Sequence, residues 1–490
     1  MTHGDTIPIE VVLNGTPVSD EVDGDFGNRT RTRRIKRVVE AIHAAPEKSF
    51  PEIFDDDADL EGFYRLLRNK NMTFEKILDV HIDATTRRCE TLGEVLAIHD
   101  TTEFSFPLRD EALRQYLCRF SKSRQGFLAH TTIASSADGL RAPLGCLGMR
   151  PFVHENGSDE ETREFFDEIS GAMEVESERW WEAVVESENR LSNVETVIHV
   201  MDREADIYDL LARMSQAEYR FIIRAAQDRR VMVEEHPELS KMFDALDNQP
   251  FLATRTVELS PRSHANMAPE SRKVHPERRK REATLGFRAC SVTVLRPSNG
   301  NKELPRTVKL NVVEAVEKNP PANEEPVHWL LLTKEKIDTI GDVVRVVDLY
   351  RSRWLIEEYF KAIKTGCAYS KRQLNSAKTL LVALAITLPV AWKLLVMRQL
   401  ERQCPEAPAH IVVNKVQLII LQAAVPKAKL SSNPTLGQVV LAIASLGGHL
   451  KSNGRPGWRI LSRGYRRLLE MEQGWNLAME AMLNGNAVTH

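Results

Sequence analysis

Twice in this chain a short apolar run closes on an aspartate. Val95, Leu96, Ala97 and Ile98 lead into His99 and Asp100, and "VETVIHVMD" repeats the design with Val197, Ile198, Val200 and Met201 ahead of Asp202. Runs this short are poor core helices and fit strands buried on both faces. A helical pattern follows the second aspartate, and "YRFIIRAAQ" reads as a further strand ending in Arg224. Strands that alternate with helices predict a mixed α/β sheet covered by helices. In such sheets, polar residues at the carboxyl ends of neighbouring strands converge on the crevice where ligands bind. Asp100 and Asp202 are therefore expected at strand ends with a common geometry.

The flanking segments differ in kind. Residues 1–85 read as a small helical domain with one basic face. "RTRTRRIKR" (29–37) has six basic residues in nine, and Ile35, Val38, Val39 and Ile42 follow at helical spacing. The net charge of −3 does not by itself point to nucleic acid, but local patches count separately. This run fits either a solvated surface or DNA contact. "FLAHTTIASSADG" followed by "GCLGMRPFV" reads as a hairpin, and 157–189 as acidic helix. From about 229 to 340, "RTVELSP", "FRACSVTVLRP", "RTVKLNVVEAVE" and "VHWLLLTKE" are β-rich, an inserted β-subdomain. It carries a basic run with Arg272, Lys273, Arg278, Arg279, Lys280 and Arg281, suited equally to a solvated loop and to a tongue over nucleic acid. After Gly341 the pattern is helical to the end.

Other classes are disfavoured. The six cysteines form no CxxC pair, which argues against a disulfide scaffold or zinc site and fits a reducing cytoplasm. The N-terminus has no basic segment followed by an apolar run, so no secretory signal is expected. "TLLVALAITLPVAWKLLVM" (379–397) is long enough to span a membrane, yet Pro389 and Lys393 within it favour a kinked, buried core helix.

The densest chemistry lies in "YRSRWLIEEYFKAIKTG" (350–366). Arg353, Glu357 and Lys364 follow Tyr350 at spacings of 3, 7 and 14. At about 100° per residue, a continuous helix puts all four on one stripe about 60° wide. Glu357 then offers a third carboxylate to Asp100 and Asp202. Three gathered carboxylates repel one another unless divalent cations neutralise them; Mg²⁺ takes such hard oxygen ligands. Two ions serve an in-line phosphoryl displacement, with Arg353, Lys364 and Tyr350 suited to neighbouring phosphates. Simpler roles exist for each residue. Asp202 before "READI" fits a helix N-cap, Glu357 and Lys361 fit an i,i+4 ion pair, and Trp329 fits core packing beside "LLLT".

Taken together, "YRSRWLIEEYFKAIKTG" resembles the Y-(2)-R-(3)-E-(6)-K signature of bacterial DDE transposases of the insertion-sequence-four family, above all the composite-transposon-five branch. "LAIHDTTEFSF" and "VIHVMDREADIYDLL" resemble its two aspartate motifs, and "FGNRTRTRRIKRVV" with "FYRLLRNKN" its end-binding helices. "VHWLLLTKE" and "LGGHLKSNGRPGWRIL" resemble its later segments, so the likeness covers nearly the whole chain.

The resemblance implies an RNase H-like mixed sheet core over 86–375, with the insertion at about 229–340, behind an end-binding domain at 1–85. A helical C-terminal region at 376–490 would dimerise. Asp100, Asp202 and Glu357 would be catalytic and hold two Mg²⁺, with Mn²⁺ able to substitute. Tyr350, Arg353, Lys364, Arg224 and Arg65 would contact DNA, and Trp329 would stack on a base flipped out during hairpin formation. The implied activity is cut-and-paste transposition in the bacterial cytoplasm, at the nucleoid, with no membrane partner. A homodimer would join the terminal inverted repeats to target DNA. The alternatives are a catalytically degenerate transposition inhibitor and an RNase H-like nuclease.

Overall fold

A computed structural model describes residues 17–54, 56–108, 113–172, 176–233, 236–259, 277–322, 324–450 and 455–486. Arg272 and Lys273 of the basic insertion run lie outside the described residues. The α/β class holds, with an N-terminal helical region, a mixed sheet and C-terminal helices. The chain divides into two compact units. One comprises Met1–Glu174, Val185–Glu195 and Trp354–His490, and the other Val175–Val184 and Thr196–Arg353.

In the first unit, strand β1 (Glu94–Pro107) pairs antiparallel with β3 (Arg124–Ser136) along its whole length. Strands β2 (Cys118–Ser121) and β4 (Pro143–Phe152) pair with opposite ends of β3. Asp100 is therefore mid-strand, not at a strand end. The reason lies in the burial pattern. Residues 95–99 are buried without a break, whereas beyond Asp100 only Thr102, Phe104 and Phe106 are. One face of the strand remains covered, so the chain stays extended after the apolar run stops.

The helix Ala377–Gln403 is the one described helix long and apolar enough to cross a membrane, but 94% of its apolar window is buried inside the protein. It runs without interruption through Pro389. Buried polar groups fasten the other elements to it. Trp392 donates its indole N–H to the Pro143 carbonyl at 2.9 Å, and the Arg88 guanidinium lies 4.0 Å from the same ring. Arg88 also donates to both oxygens of Glu21, at 2.7 and 3.1 Å, and His81 Nδ1 lies 2.7 Å from Glu21. These three residues tie the first turn of the chain to the helix Phe74–Cys89. Burial alone would raise the Glu21 carboxyl, but the His81 hydrogen bond and the Arg88 charge outweigh it and hold the group at about 2.

The second unit is built on one sheet in the order β5-β6-β12-β11-β10-β7-β8, with β9 also paired to β10. These strands are β5 (Thr196–Met201), β6 (Arg220–Arg224), β7 (Arg230–Val233), β8 (His236–Lys241), β9 (Ala253–Leu259), β10 (Arg281–Leu295), β11 (Thr307–Lys318) and β12 (His328–Thr333). Strands β5 and β6 run parallel, and the remaining pairs are antiparallel. The β-rich insertion therefore continues the sheet that β5 and β6 begin. Its apolar side includes Tyr208, Phe221, Val292, Val312 and Leu332 in a single core. Glu335, 3% exposed, receives Arg220 and Arg345 and so fixes the helix Ile340–Arg351 to β6.

The Glu21 carboxyl sits below its ordinary 4.5 in the folded chain, so its stabilisation is complete above pH 4.5 and disappears as the pH falls towards 2. Glu21→Gln leaves Arg88 buried without its carboxylate. We predict a loss at neutral pH on the order of 3 kcal/mol, with weaker acid dependence across that window. Urea unfolding at several pH values checks this; a parent-like profile in the variant contradicts it.

Candidate active site

The segment holding Tyr350, Arg353, Glu357 and Lys364 is not one helix. Helix Ile340–Arg351 ends in a turn at Ser352 and Arg353, helix Trp354–Lys361 follows, and Ala362–Gly366 forms a π-helical turn. The Ser352 and Arg353 amides donate back three residues, to Leu349 and Tyr350, both at 3.0 Å. The continuous helix expected from the spacing is interrupted at Ser352 and Arg353. Tyr350 and Arg353 belong to the second unit, Glu357 and Lys364 to the first.

In the first unit, Asp100 and Thr102 lie two apart on β1 and so share a face. The Lys364 ammonium donates to Thr102 Oγ1 at 2.6 Å and sits 5.4 Å from the Phe104 ring and 5.7 Å from Phe360. Asp100 Oδ1 accepts from the Thr101 amide at 2.8 Å. Glu357 is half-buried on the helix Trp354–Lys361, which packs against β1. The neighbouring Glu358 points elsewhere, to Lys361 at 3.0 Å, Arg398 at 3.5 Å and Arg402 at 3.8 Å. Lys361 therefore pairs with Glu358 rather than in the expected i,i+4 pair with Glu357. Two tyrosines fix the segment to the core helix: Tyr359 donates to the Leu388 carbonyl at 3.1 Å and Tyr369 to that of Leu380 at 2.7 Å. π-helical turns of the kind at Lys364 recur at functional sites.

In the second unit, Asp202 follows β5 and caps a short 3-10 turn, Arg203–Ala205, by accepting from the Glu204 amide at 2.9 Å. The N-cap role expected for it is real. Tyr350 is 4% exposed, with its ring edge-to-face against Trp329 at 5.6 Å. Trp329 stands half-buried at the start of β12, outside the buried core. Arg224 donates to the His328 carbonyl at 2.9 Å. The Arg224 and Arg353 guanidiniums both act on the Tyr350 hydroxyl. Burial lowers the Arg224 guanidinium, and the charges of Arg203 and Arg353 add to that effect. Burial raises the Tyr350 hydroxyl, as does the charge of Asp202, against the pull of Arg353 and Arg224. Three guanidiniums, a phenol, an indole and one carboxylate thus meet in this unit, a setting suited to phosphate oxygens. Arg203 was missed in the sequence reading; its only signal was its place directly after Asp202.

Among the described residues, no group of three or more His, Cys, Asp or Glu side chains stands ready to hold a metal ion. The donor chemistry of Asp100, Asp202 and Glu357 nonetheless fits Mg²⁺ or Mn²⁺, which take hard oxygens. Mg²⁺ commonly uses only one or two carboxylates, together with substrate phosphates and water.

The remaining basic features lie on the N-terminal helices. Arg29, Arg33 and Arg37 are exposed on the helix Arg29–Ala44, whose opposite side buries Ile35, Val38, Val39 and Ile42. Arg65 is exposed on the helix Asp57–Leu67, with Glu61 3.7 Å away. The two helices meet closely at Gly62, where a Cβ would lie 1.5 Å from Arg34 Nη1. A larger residue there would displace the end of the Arg34 side chain.

A mixed α/β sheet with this acid and guanidinium chemistry and a basic helical region suits a protein that handles nucleic acid. Two family models say which kind. Transposase DNA-binding matches residues 19–72, and Transposase DDE domain matches residues 174–388. Over these residues the chain is similar to a transposase DNA-binding domain and a DDE transposase domain, which supports a metal-dependent DNA-processing enzyme with an RNase H-like fold. Arg65 falls in the first match. Asp202, Arg224, Trp329, Tyr350, Arg353, Glu357 and Lys364 fall in the second, and Asp100 lies between the two.

Burial pulls the Lys364 ammonium from an ordinary 10.5 down to about 8, against the charges of Glu103 and Asp100. Between these values the unfolded chain holds more protons, so stability rises with pH from about 8 to 10.5. Lys364→Met keeps the stem and removes the desolvated cation. It is expected to raise the unfolding free energy at pH 7 by on the order of 1 kcal/mol and to remove that rise. Denaturant titrations at pH 7 and above test it, and a variant less stable than its parent at pH 7 counts against it.

Proposed function

We propose that this protein is a cut-and-paste transposase of the insertion-sequence-four family, with Tyr350, Arg353, Glu357 and Lys364 as its YREK set. The observation that carries the reading is the presence of transposase DNA-binding and DDE matches on one chain. It binds the terminal inverted repeats of a DNA element and excises that element. It then joins the freed ends to target DNA, acting as a homodimer at the bacterial nucleoid in the cytoplasm.

Asp100, Asp202 and Glu357 are the carboxylates we assign to two Mg²⁺, with Mn²⁺ as a substitute. When bound, the divalent metal lowers the pKa of water and offsets charge developing on the leaving oxygen. In the first step, water attacks the phosphodiester at the element's end; the new P–O bond forms as the P–O3′ bond breaks, and a 3′-OH is freed. That hydroxyl attacks the opposite strand to give a hairpin and release the flank. A second water reopens the hairpin, and the 3′-OH then attacks a phosphodiester of the target. Each step is the same in-line displacement with a different nucleophile, so one set of side chains can serve all four. Arg224 and Arg353 suit bidentate hold on phosphates, Lys364 and Tyr350 suit single contacts, and Arg65 serves end binding. Trp329 offers a ring for a base extruded at the hairpin.

Two outcomes are expected with DNA carrying the element's end. Asp100→Ala, Asp202→Ala and Glu357→Ala each abolish cleavage in Mg²⁺ while end binding, read by gel shift, persists; substantial cleavage by any one removes that residue from the catalytic set. Trp329→Ala spares the first nick and slows hairpin formation by roughly 5- to 150-fold, the equivalent of about 1–3 kcal/mol of stacking, with partial rescue by Phe. A purely structural tryptophan instead predicts a lower Tm with both steps reduced alike.

A further inference from the structure

Four residues beyond Asp202, a buried carboxylate is fully occupied in a way the proposed chemistry does not require. Asp206 is 2% exposed. Its Oδ2 accepts from the backbone amides of Ala226 and Gln227, at 2.7 and 3.0 Å. Its Oδ1 accepts from Arg229, Nε at 2.9 Å and Nη2 at 2.7 Å, and Arg229 Nη2 also donates to the Asp206 carbonyl. The Asp206 amide donates to the Arg203 carbonyl at 3.2 Å, closing the turn that Asp202 caps. On the far side, the segment it grips begins two residues after Arg224. That segment is held from β12 as well, since the Ala225 amide donates to the Leu330 carbonyl at 2.7 Å, beside Trp329.

We infer that Asp206, held by Arg229, is a positioning residue that locks the Asp202–Arg203 turn to the end of β6, and so sets the spacing of Asp202 and Arg224 along the bound DNA strand. The inference rests on the transposase reading. Its physical basis is that two short segments meet at this one buried group. The turn is three residues long, and residues 225–229 follow the strand with no regular structure until β7. One carboxylate, carried by the turn, satisfies the Ala226 and Gln227 amides and the Arg229 guanidinium of the second segment at once. An amide cannot do so: Asn at this position presents a single acceptor oxygen and turns its NH₂ towards either the backbone amides or the guanidinium. Arg229→Lys keeps the charge but loses the planar fork that reaches Oδ1 twice.

The test uses the full chain and end DNA. Arg224→Ala, as reference, should lower the slope of log K against log salt by about 0.9, one phosphate contact. Positioning predicts that Asp206→Asn lowers the slope by a similar amount, and that adding Arg224→Ala to it changes the slope no further. It also predicts a 10- to 100-fold slower first nick, roughly the effect of losing a group that orients a ligand. Arg229→Lys should fold where Asp206→Asn does not, and should show the same pattern in milder form. A lowered Tm with the parent slope, and an undiminished effect of Arg224→Ala in either background, overturns the inference while the transposase reading stands. If Arg224→Ala alone leaves the slope unchanged, the assigned role of Arg224 falls, and this inference with it.

Discussion

The need to bury the helix Ala377–Gln403 on every side organises the first unit. A helix apolar all round cannot rest at a surface, so the elements about it must cover it and also satisfy the polar groups they bring along. Trp392 reaches the backbone of β4, and Arg88 lies on its ring while gripping Glu21. The segment that carries Glu357 and Lys364 is fastened to the same helix. Tyr359 and Tyr369 bond its carbonyls on either side of the π-turn that carries Lys364. Glu358 binds Arg398 and Arg402, and that salt link leaves Glu357 on another face of its helix. The positions of Glu357 and Lys364 are thus set by core packing rather than by the loops near them, which favours precise chemistry.

The second unit relies on buried carboxylates instead. Glu335 clamps Arg220 and Arg345, fixing the helix that ends in Tyr350. Asp206 clamps the turn after Asp202 to the segment after Arg224. Asp348 holds Arg255 from β9 at 2.8 Å. The Glu335 and Asp206 clamps place a charged group in low dielectric with hydrogen bonds to compensate it, the condition under which removing one partner is most damaging, whereas Asp348 is only part-buried. Burial first, and then the charges of Arg203 and Arg353, lower the affinity of Arg224 for its proton. Such a cluster is better suited to an anion than to an empty surface.

Much of this could be read from the chain itself. Most strands of the second unit announced themselves as apolar runs bounded by Pro, Asn and Gly, though β7 and β8 did not, and the N-terminal helices because Ile35, Val38, Val39 and Ile42 keep a helical period. What escaped had specific causes. β1 was read as ending at Asp100 because the cover on one face stops there, while Thr102, Phe104 and Phe106 continue the strand at period two. The break at Ser352 and Arg353 has no Gly or Pro to mark it. The spacings of 3, 7 and 14 from Tyr350 therefore suggested one continuous helix. Glu21, His81 and Arg88 come together across separations of 60 and 67 residues, and nothing local marks such a cluster. Asp206 sits in a motif where Asp202 drew attention, and its role shows only in the backbone amides it accepts.

The central claim is that one chain both cuts and joins DNA. The most direct test is to incubate the purified protein and Mg²⁺ with linear DNA carrying both ends of the element, flanking sequence included, and a supercoiled plasmid. The measurement is the amount of plasmid covalently joined to element ends. The account predicts released flanks cut on both strands and plasmid joined through the element's 3′ ends. Cut ends with no joined plasmid would mark a nuclease, and bound but uncut DNA an inhibitor; either result contradicts it.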